Sequence, residues 1–304
     1  MSGPILVVMA AGMGGRYGAL KQMDRIGRGG EVLLHYSVYD AARSGFEKAV
    51  FVIRHAIEKD FYEVVLKRLP PSIKYSVVYQ ELDTNIPPEI YAASQALGRT
   101  QPWGTTHAIL CAADQLDAPF LAINADDFYG LNAFKAMSQF LTSPQGAEEG
   151  AIVTYVLAKT LSATGAVTRA VCKINDGLLK GVEELHAIEK KGTIIFNTDS
   201  EGKKKQLMPD TPVSMNFWGF PPSALPHFQK FFSEYLLQLV KTRRHECYIP
   251  LVVDWLIRQG AITVRSLKTV SEWFGITWQA DRQDAIMRIL DLNRAGVYPS
   301  PLWE

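Results

Sequence analysis

The stretch that decides the fold is Ile5-Leu6-Val7-Val8-Met9, which runs directly into Ala10-Ala11-Gly12-Met13-Gly14-Gly15-Arg16. A continuous apolar run rich in β-branched residues and ended by a glycine cluster is typical of a strand buried on both faces of a parallel sheet. The run is too short to cross a bilayer and lacks a basic leader, so we do not expect a signal peptide. The sequence therefore predicts a buried first strand with a glycine-rich loop at its carboxyl end.

The first half of the chain repeats this pattern. Apolar runs alternate with helix-compatible stretches, at 33–44, 49–53, 57–69, 75–79, 105–113 and 120–123. Strands and helices that alternate in this way predict a doubly wound α/β sheet.

After about residue 150 the pattern changes to strands joined by short turns. Strands are predicted at 151–157, 166–174, 178–182 and 213–220, and helices at 223–241, 249–258 and 284–293. Asn175-Asp176-Gly177 is a good hairpin signal. We expect a hairpin-rich portion built on the same sheet, so that residues 1–304 form a single domain with halves 1–150 and 151–304.

Composition narrows the possible partners. The 304-residue chain has 32 lysine and arginine residues against 31 aspartate and glutamate residues, a net charge of +1. Near-neutral charge argues against nucleic acid as a partner, because such binders use a broad basic face. No run of about 18 apolar residues occurs, so no membrane association is expected. Nothing in the sequence indicates the oligomeric state.

The three cysteines, Cys111, Cys172 and Cys247, are odd in number and far apart. This usage fits neither a disulfide framework nor a zinc knuckle, and it is typical of a reducing compartment. The sequence therefore predicts a cytoplasmic location.

The glycine loop that follows the first strand suits an anion. Gly12, Gly14 and Gly15 would let backbone N–H groups approach a phosphate closely. A dinucleotide fingerprint requires glycine where Tyr17 stands, and a P-loop requires a Gly-Lys-Ser/Thr triplet that does not occur. Neither known phosphate loop fits.

Two cations distinguish this loop, Arg16 within it and Lys21 just beyond it. Cations at this place suit a site that stabilises negative charge on a phosphorus centre. The alternative is a glycine-rich turn with two solvated basic residues.

Residues 9–16, followed by Lys21-Gln22, resemble the N-terminal signature of the sugar-phosphate nucleotidyltransferases, the NDP-sugar pyrophosphorylases. The family pattern is L-A-A/G-G-x-G-T/S-R followed by a lysine. Gly15 replaces its usual Thr or Ser, and Leu20 replaces the usual proline. The resemblance extends over residues 1–220. It implies a Rossmann-like doubly wound mixed sheet (the GT-A-like nucleotidyltransferase fold), with a nucleotide-binding half at 1–150 and a hairpin-rich sugar-binding portion with C-terminal helices at 151–304.

The resemblance also implies a reaction. A nucleoside triphosphate, with UTP or dTTP favoured, would be joined to a sugar 1-phosphate to give an NDP-sugar and pyrophosphate. Arg16, Lys21 and Asp126 would be the catalytic residues and Mg²⁺ the cofactor. Ala11, Gly12, Gly14 and Gly15 would contact the triphosphate.

Two further segments resemble the nucleotide site. Gln80 matches a glutamine that pairs with uracil or thymine, because an amide offers both a donor and an acceptor; the alternative is a polar residue that ends a strand. Gly104-Thr105 resembles the segment beneath the base and ribose, with Gly104 allowing close approach and Thr105 capping a helix. We interpret His107 as a neighbour of the site rather than a catalyst.

The fourth strand ends in Asn124-Ala125-Asp126-Asp127. Ligands of doubly wound sheets bind at the carboxyl ends of strands, and Mg²⁺ is held by one or two carboxylates together with substrate phosphates. Asp126 matches the family's metal-binding aspartate, and we expect Asp127 to support it. The alternative is that Asp126 caps a helix that starts near Leu131.

Later segments match the family more distantly. Glu183 and Glu184 resemble a stretch that holds sugar hydroxyls, and Asn216 lies in a strand like the one that flanks the sugar pocket. A solvated hairpin and an ordinary core strand are the alternatives. The family's second metal aspartate is replaced by Gly275, so we predict Asp281 as the second metal ligand. Capping of the last helix explains Asp281 equally well.

Two other functions remain open. A metal-dependent glycosyltransferase could use Asp126 and Asp127 as its acidic motif, but it would leave Arg16 and Lys21 unexplained. A non-catalytic nucleotide-sugar sensor could tolerate the replacement of family residues, as at Gly275. Release of pyrophosphate would separate the three possibilities.

Overall fold

A central sheet is built around β1 (Ile5–Met9), which lies between two parallel neighbours, β2 (Lys48–Ile53) and β4 (Phe120–Asn124). The structure is a computed structural model that describes residues 3–12, 25–143, 146, 148–162, 165–276 and 281–303. Alternate side chains of β1 enter different cores, with Leu6 and Val8 on one face and Ile5, Val7 and Met9 on the other. The predicted first strand is confirmed as one buried on both faces.

The other strands follow in chain order: β3 (Lys74–Tyr79), β5 (Asp127–Phe128), β6 (Glu149–Val156), β7 (Val167–Asn175), β8 (Leu178–Lys191), β9 (Ile194–Thr198), β10 (Lys204–Leu207), β11 (Pro212–Phe220), β12 (Thr263–Leu267) and β13 (Phe274–Gly275). The helices are α1 (Leu33–Arg43), α2 (Glu58–Val64), α3 (Pro88–Ala96), α4 (Thr105–Cys111), α5 (Leu131–Thr142), α6 (Ala224–Leu239), α7 (Ile249–Arg258) and α8 (Asp281–Arg294).

Among the described residues, eleven strands form one mixed sheet in the order β10-β9-β8-β12-β6-β11-β4-β1-β2-β3, with β7 paired to β8 and β11. β3, β2, β1 and β4 are parallel, whereas β11 runs antiparallel to β4 and β6. One face packs against α1, α2 and α5, and the other against α4, α6 and α7. The predicted doubly wound α/β fold is confirmed.

Consecutive antiparallel hairpins join β7 to β8, β8 to β9 and β9 to β10. Asp176 and Gly177 both have positive φ (50° and 74°), as a two-residue hairpin turn of the predicted kind requires. β8 extends to Lys191, well beyond the predicted end at 182, because it pairs first with β7 and then with β9. The hairpin-rich second portion is confirmed.

A smaller third core lies beside the short β5–β13 pair. Phe128 and Phe274 stack there with ring centroids 4.4 Å apart. Residues from α1, α8 and the C-terminal segment complete it, among them Tyr36, Ile289 and Tyr298. This core joins the end of the chain to the strand that carries Asp127.

The helix predicted at 57–69 is shorter in the structure. Its α-helical part is Glu58–Val64, and a separate 3₁₀ turn covers Leu66–Arg68. Within the described residues, no helix combines the length and apolar character needed to cross a membrane.

Candidate active site

An open cleft lies at the carboxyl ends of β1 and β4. Met9 pairs with Asn124, so the loop that leaves β1 and the acidic segment that leaves β4 start side by side. The cleft volume is about 1140 Å³ including its open mouth, which is ample for a small-molecule ligand. Its described lining is Thr105, Asn124, Asp126, Asp127, Thr168, Arg169, Ala170, Glu184, His186, Ser214, Met215, Asn216, Tyr248, Pro250 and Trp273.

The predicted triphosphate loop is described only where it begins. Ala11 is buried and follows Ala10, whose N–H donates to the Val52 carbonyl at 2.8 Å. Gly12 is the last described residue on this side. Gly14, Gly15, Arg16 and Lys21 lie outside the described residues, and their roles stay predictions.

Asp126 and Asp127 occupy different environments in the cleft. Asp126 is half-buried in the lining, whereas the Asp127 side chain is 7% exposed. Asn124 Nδ2 donates to Asp127 Oδ2 at 2.9 Å. Burial, and after it the negative charge of Asp126, raises the pKa of the Asp127 carboxyl well above its ordinary value. A cation between the two carboxylates would relieve this cost.

Tyr129 ties the acidic segment to the strand opposite. Its Oη accepts the Asn124 N–H at 3.1 Å and lies 3.2 Å from Asp127 Oδ2 and 2.9 Å from the Met215 carbonyl oxygen. The single hydroxyl proton can serve only one of the last two acceptors at a time. Tyr129 therefore fixes the backbone around Asp127 through three neighbours.

Gly275 and Asp127 are direct cross-strand partners in the β5–β13 pair. A Cβ atom at position 275 would overlap Asp127 Oδ1 and lie 3.0 Å from the Trp273 ring. An aspartate at this position therefore cannot coexist with Asp127 in its present place. The space is filled by a carboxylate that belongs to the neighbouring strand.

These residues fit a magnesium ion that takes most of its ligands from substrate. Mg²⁺ in phosphate-transfer sites is held by one or two carboxylates, and Asp126 with Asp127 supplies two at the cleft. Among the described residues there is no cluster of three or more histidine, cysteine, aspartate or glutamate side chains that could hold a metal.

Asp281 is the first residue of α8, where its carboxylate accepts a hydrogen bond from Ser162 Oγ at 3.2 Å. It is not among the described residues that line the cleft. Its role as second metal ligand stays a prediction.

Gln80 is 4% exposed and is not among the described residues that line the cleft. Its Nε2 donates to the Gly104 carbonyl at 2.9 Å and lies 3.2 Å from His107 Nδ1. His107 Nε2 is 2.7 Å from the Thr84 carbonyl, so the ring donates there and accepts from Gln80. Burial lowers the pKa of His107 to about 4, which keeps it neutral. The contact of Gln80 with a base stays a prediction.

Gly104 allows a close approach of the Cys247 backbone rather than of a ligand. Its φ is +107°, and a Cβ atom there would lie 2.5 to 2.8 Å from backbone atoms of Cys247. α4 begins at Thr105 with Gly104 as its N-cap. The expectation that Thr105 caps the helix is wrong, because Thr105 Oγ1 accepts the Ile249 N–H at 3.0 Å. Thr105 does line the cleft.

Two of the three predicted sugar contacts, Glu184 and Asn216, line the cleft. Asn216 lies in a bulge of β11 with φ of 57°, and its Nδ2 donates to Asn124 Oδ1 at 3.3 Å. Glu184 lines the open cleft, where partial desolvation raises the pKa of its carboxyl. Glu183 instead pairs with Lys173 Nζ at 3.4 Å.

Among the lining residues that sequence reasoning missed, those with large polar or aromatic side chains are Arg169, His186, Tyr248 and Trp273. Arg169 alone carried a signal, since it is a cation at an inward-facing position of a predicted strand, next to buried Val167. Trp273 packs beneath its guanidinium, whose carbon lies 4.9 Å from the ring centroid.

Three solved structures with a similar fold carry the names of nucleotide-transferring enzymes. The inositol-1-phosphate CTP transferase from T. maritima is 12% identical, with 95% of this chain and 97% of that chain covered and a TM-score of 0.58. A putative glucose-1-phosphate thymidylyltransferase from Bacillus anthracis, in complex with a sucrose, is 13% identical, with 95% of this chain and 96% of that chain covered and a TM-score of 0.61. A UDP-glucose pyrophosphorylase complexed with UDP-glucose is 17% identical, with 95% of this chain and 99% of that chain covered and a TM-score of 0.60.

These similarities establish that the chain has the fold of the sugar-phosphate nucleotidyltransferases over nearly its full length. No family model and no curated protein sequence matches it.

Proposed function

We propose that the chain is a magnesium-dependent nucleotidyltransferase that joins a nucleoside triphosphate to a sugar 1-phosphate and releases pyrophosphate. The observation that carries this proposal is the meeting of two segments at one sheet edge. The glycine loop leaves β1 beside the acidic segment of β4, because Met9 and Asn124 are paired. A glycine-rich loop that starts beside two carboxylates suits a metal-bound triphosphate.

The proposed reaction requires little covalent chemistry from the protein. An oxygen of the sugar phosphate attacks the α-phosphorus in line, and pyrophosphate leaves. Because the attacking oxygen is already ionised, no general base is required. Catalysis then comes from positioning and charge neutralisation.

Each residue has a role in this scheme. Arg16 binds the leaving β- and γ-phosphates, and Lys21 stabilises the α-phosphoryl group. Asp126 would hold Mg²⁺ with the support of Asp127, and the ion would supply positive charge that neutralises the triphosphate. Asn124 orients Asp127 through its 2.9 Å hydrogen bond, and Asn216 in turn holds Asn124.

Substrate choice is the finer part of the proposal. Gln80 favours UTP or dTTP if its amide turns toward a base. Glu184 and Asn216 are the sugar contacts that the cleft geometry supports, since both line it. Solved structures with this fold include enzymes named for CTP, thymidylyl and UDP chemistry, so all bases belong in the test.

The deciding experiment measures pyrophosphate release from the purified chain. Each of the common nucleoside triphosphates is combined with several sugar 1-phosphates and with phosphocholine, with and without Mg²⁺. We expect pyrophosphate only when both substrates and Mg²⁺ are present. Release of a nucleoside diphosphate from an NDP-sugar donor would indicate a glycosyltransferase instead. Binding of nucleotide-sugar without any turnover would indicate a sensor.

Single substitutions test the assigned roles. Arg16→Ala and Lys21→Ala should each lower kcat by at least about a hundredfold, the scale for losing one transition-state charge contact. Asp126→Asn should abolish the Mg²⁺-dependent rate. Asp60→Asn, an exposed aspartate on α2, serves as the matched control. Near-normal turnover in both cation variants would reject the assignment.

A further inference from the structure

Arg169 is a buried cation in the wall of the cleft. It lies on β7 opposite Leu185 of β8, and its side chain is 8% exposed. Its Nε donates to the Thr160 carbonyl at 3.2 Å, its Nη1 donates to the Thr168 carbonyl at 2.8 Å, and its Nη2 donates to the Thr160 carbonyl. The side chain is therefore held in one orientation from its protein side.

The partners of this guanidinium are all neutral. None of the salt bridges formed among the described residues involves Arg169. A guanidinium has five N–H groups, and the contacts above use one on each nitrogen. One N–H on each terminal nitrogen is left without an acceptor in the described part of the chain. A guanidinium with unused N–H groups on both terminal nitrogens can donate to a carboxylate or a phosphate.

The surroundings favour retention of the charge for a ligand. A charge that is buried without a partner ion is costly, so such groups are normally paired. Asp127 and Asp281 attract the cation from longer range, and burial lowers its pKa only to about 10, so Arg169 remains charged at neutral pH. Trp273 beneath it has a buried indole N–H that also lacks an acceptor in the described residues.

The position of Arg169 assigns the ligand to the acceptor side. Its neighbours in the lining, Thr168, Glu184 and His186, come from β7 and β8, and Glu184 is one of the proposed sugar contacts. We propose that Arg169 binds an oxyanion of the acceptor substrate, and thereby selects acceptors that carry a phosphate or a carboxylate.

This inference rests on the proposed function because it identifies the ligand as the acceptor substrate, but its test does not require turnover. Binding of three probes is measured by calorimetry without nucleotide or metal: glucose 1-phosphate, glucuronate and uncharged glucose. The variants are Arg169→Met, which removes the charge, and Arg169→Lys, which keeps the charge but lacks the planar set of guanidinium N–H donors. Arg294→Met, an exposed arginine on α8, is the matched control.

We expect Arg169→Met to weaken binding of glucose 1-phosphate, of glucuronate or of both at least about tenfold, the scale of one charge-assisted hydrogen bond. Arg169→Lys should lie between wild type and Arg169→Met, and Arg294→Met should match wild type. A loss confined to glucose 1-phosphate identifies a phosphate subsite, and a loss confined to glucuronate identifies a carboxylate subsite. Unchanged binding of both probes in a folded Arg169 variant overturns the proposal and leaves Arg169 as a structural residue.

A second measurement covers variants that fail to fold. Because the Arg169 guanidinium lies over Trp273, an oxyanion bound there should change the tryptophan fluorescence of the wild-type protein. Trp273→Phe should remove that response, and a response that persists in Trp273→Phe counts against the site. Binding that depends on Arg169 without any pyrophosphate release would reject the proposed function and keep this site. An unchanged KM for the acceptor in an active Arg169→Met enzyme would reject this site and keep the proposed function.

Discussion

Asp127 and Gly275 face each other across the β5–β13 pair, and the Asp127 carboxylate fills the space that a side chain at position 275 would need. Position 275 is therefore glycine because of what stands opposite. We expect Gly275→Ala to displace Asp127 and to lower Mg²⁺-dependent pyrophosphate release about a hundredfold, the scale for a shift of roughly 1 Å in a catalytic site. Initial rates at saturating substrate measure this effect.

The matched comparison moves the carboxylate across the strand pair. In the double variant Asp127→Ala with Gly275→Asp, the overlap is removed and one carboxylate is restored at the same place. Activity of the double variant should exceed that of Gly275→Ala. If Gly275→Ala retains wild-type activity, the position of Asp127 is unimportant for the reaction.

Within single elements, α4 depends on the glycine before its first residue. Gly104 combines a φ of +107° with close packing against the Cys247 backbone, so a methyl group is opposed by both strain and overlap. Gly104→Ala should lower the free energy of unfolding by about 2 to 4 kcal/mol, the scale of one strained backbone position together with overpacking. Urea denaturation measures this change.

Gly98→Ala separates the two causes. Gly98 also has a positive φ, +71°, but nothing lies within 4 Å of a Cβ atom there. Its alanine variant should lose only the strain, about 1 kcal/mol. Equal losses in the two variants would show that the contact with Cys247 adds nothing.

The elements differ in how much of them the sequence predicts. β1 and the Asn175-Asp176-Gly177 turn were predictable because a fully apolar run and a turn that needs positive φ are local signals. The β5–β13 pair has two residues per strand, too few for any periodicity to reveal. The length of β8 was missed because it exchanges β7 for β9 as a partner along its course, which is a tertiary event.

The site divides in the same way. Asp126 was predictable because it follows a buried strand at the sheet edge where ligands bind. Which of Glu183 and Glu184 lines the cleft was not predictable, because alternation along a strand shows which face a side chain is on only when the register is known. Arg169 alternates with Val167 along β7, which was a signal, but it pairs with Leu185 after an irregularity in the β7–β8 register, so alternation alone did not show that it lines the cleft.

Over the whole molecule, Asp40 links α1 to the C-terminal segment. Tyr298 Oη donates to Asp40 Oδ2 at 2.6 Å, and Arg43 Nη2 donates to Oδ1 at 2.7 Å. Burial nevertheless raises the pKa of Asp40 from 3.8 to about 6. The folded protein therefore binds this proton more tightly than the unfolded chain does. The stability that Asp40 contributes is complete below about pH 4 and is lost as the pH rises through 6.

The expected size of this effect is of the order of 3 kcal/mol between pH 4 and pH 7. It is measured as the difference in unfolding free energy between wild type and Asp40→Asn, whose amide oxygen still accepts from Tyr298. Wild type should lose stability relative to Asp40→Asn as the pH rises. A pH-independent difference between the two proteins would contradict the assignment to Asp40.

The third core joins residues near the two ends of the chain. The Leu302 N–H donates to Glu31 Oε1 at 3.0 Å, and Tyr298 packs edge-on against Tyr36 and Phe128. A ribosome releases the amino terminus first, so residues 298–302 emerge last of the described segments. The strand that holds Asp127 gains this packing partner only after Tyr298 has been synthesised. In a shorter nascent chain, the Phe128 ring beside Asp127 lacks that contact.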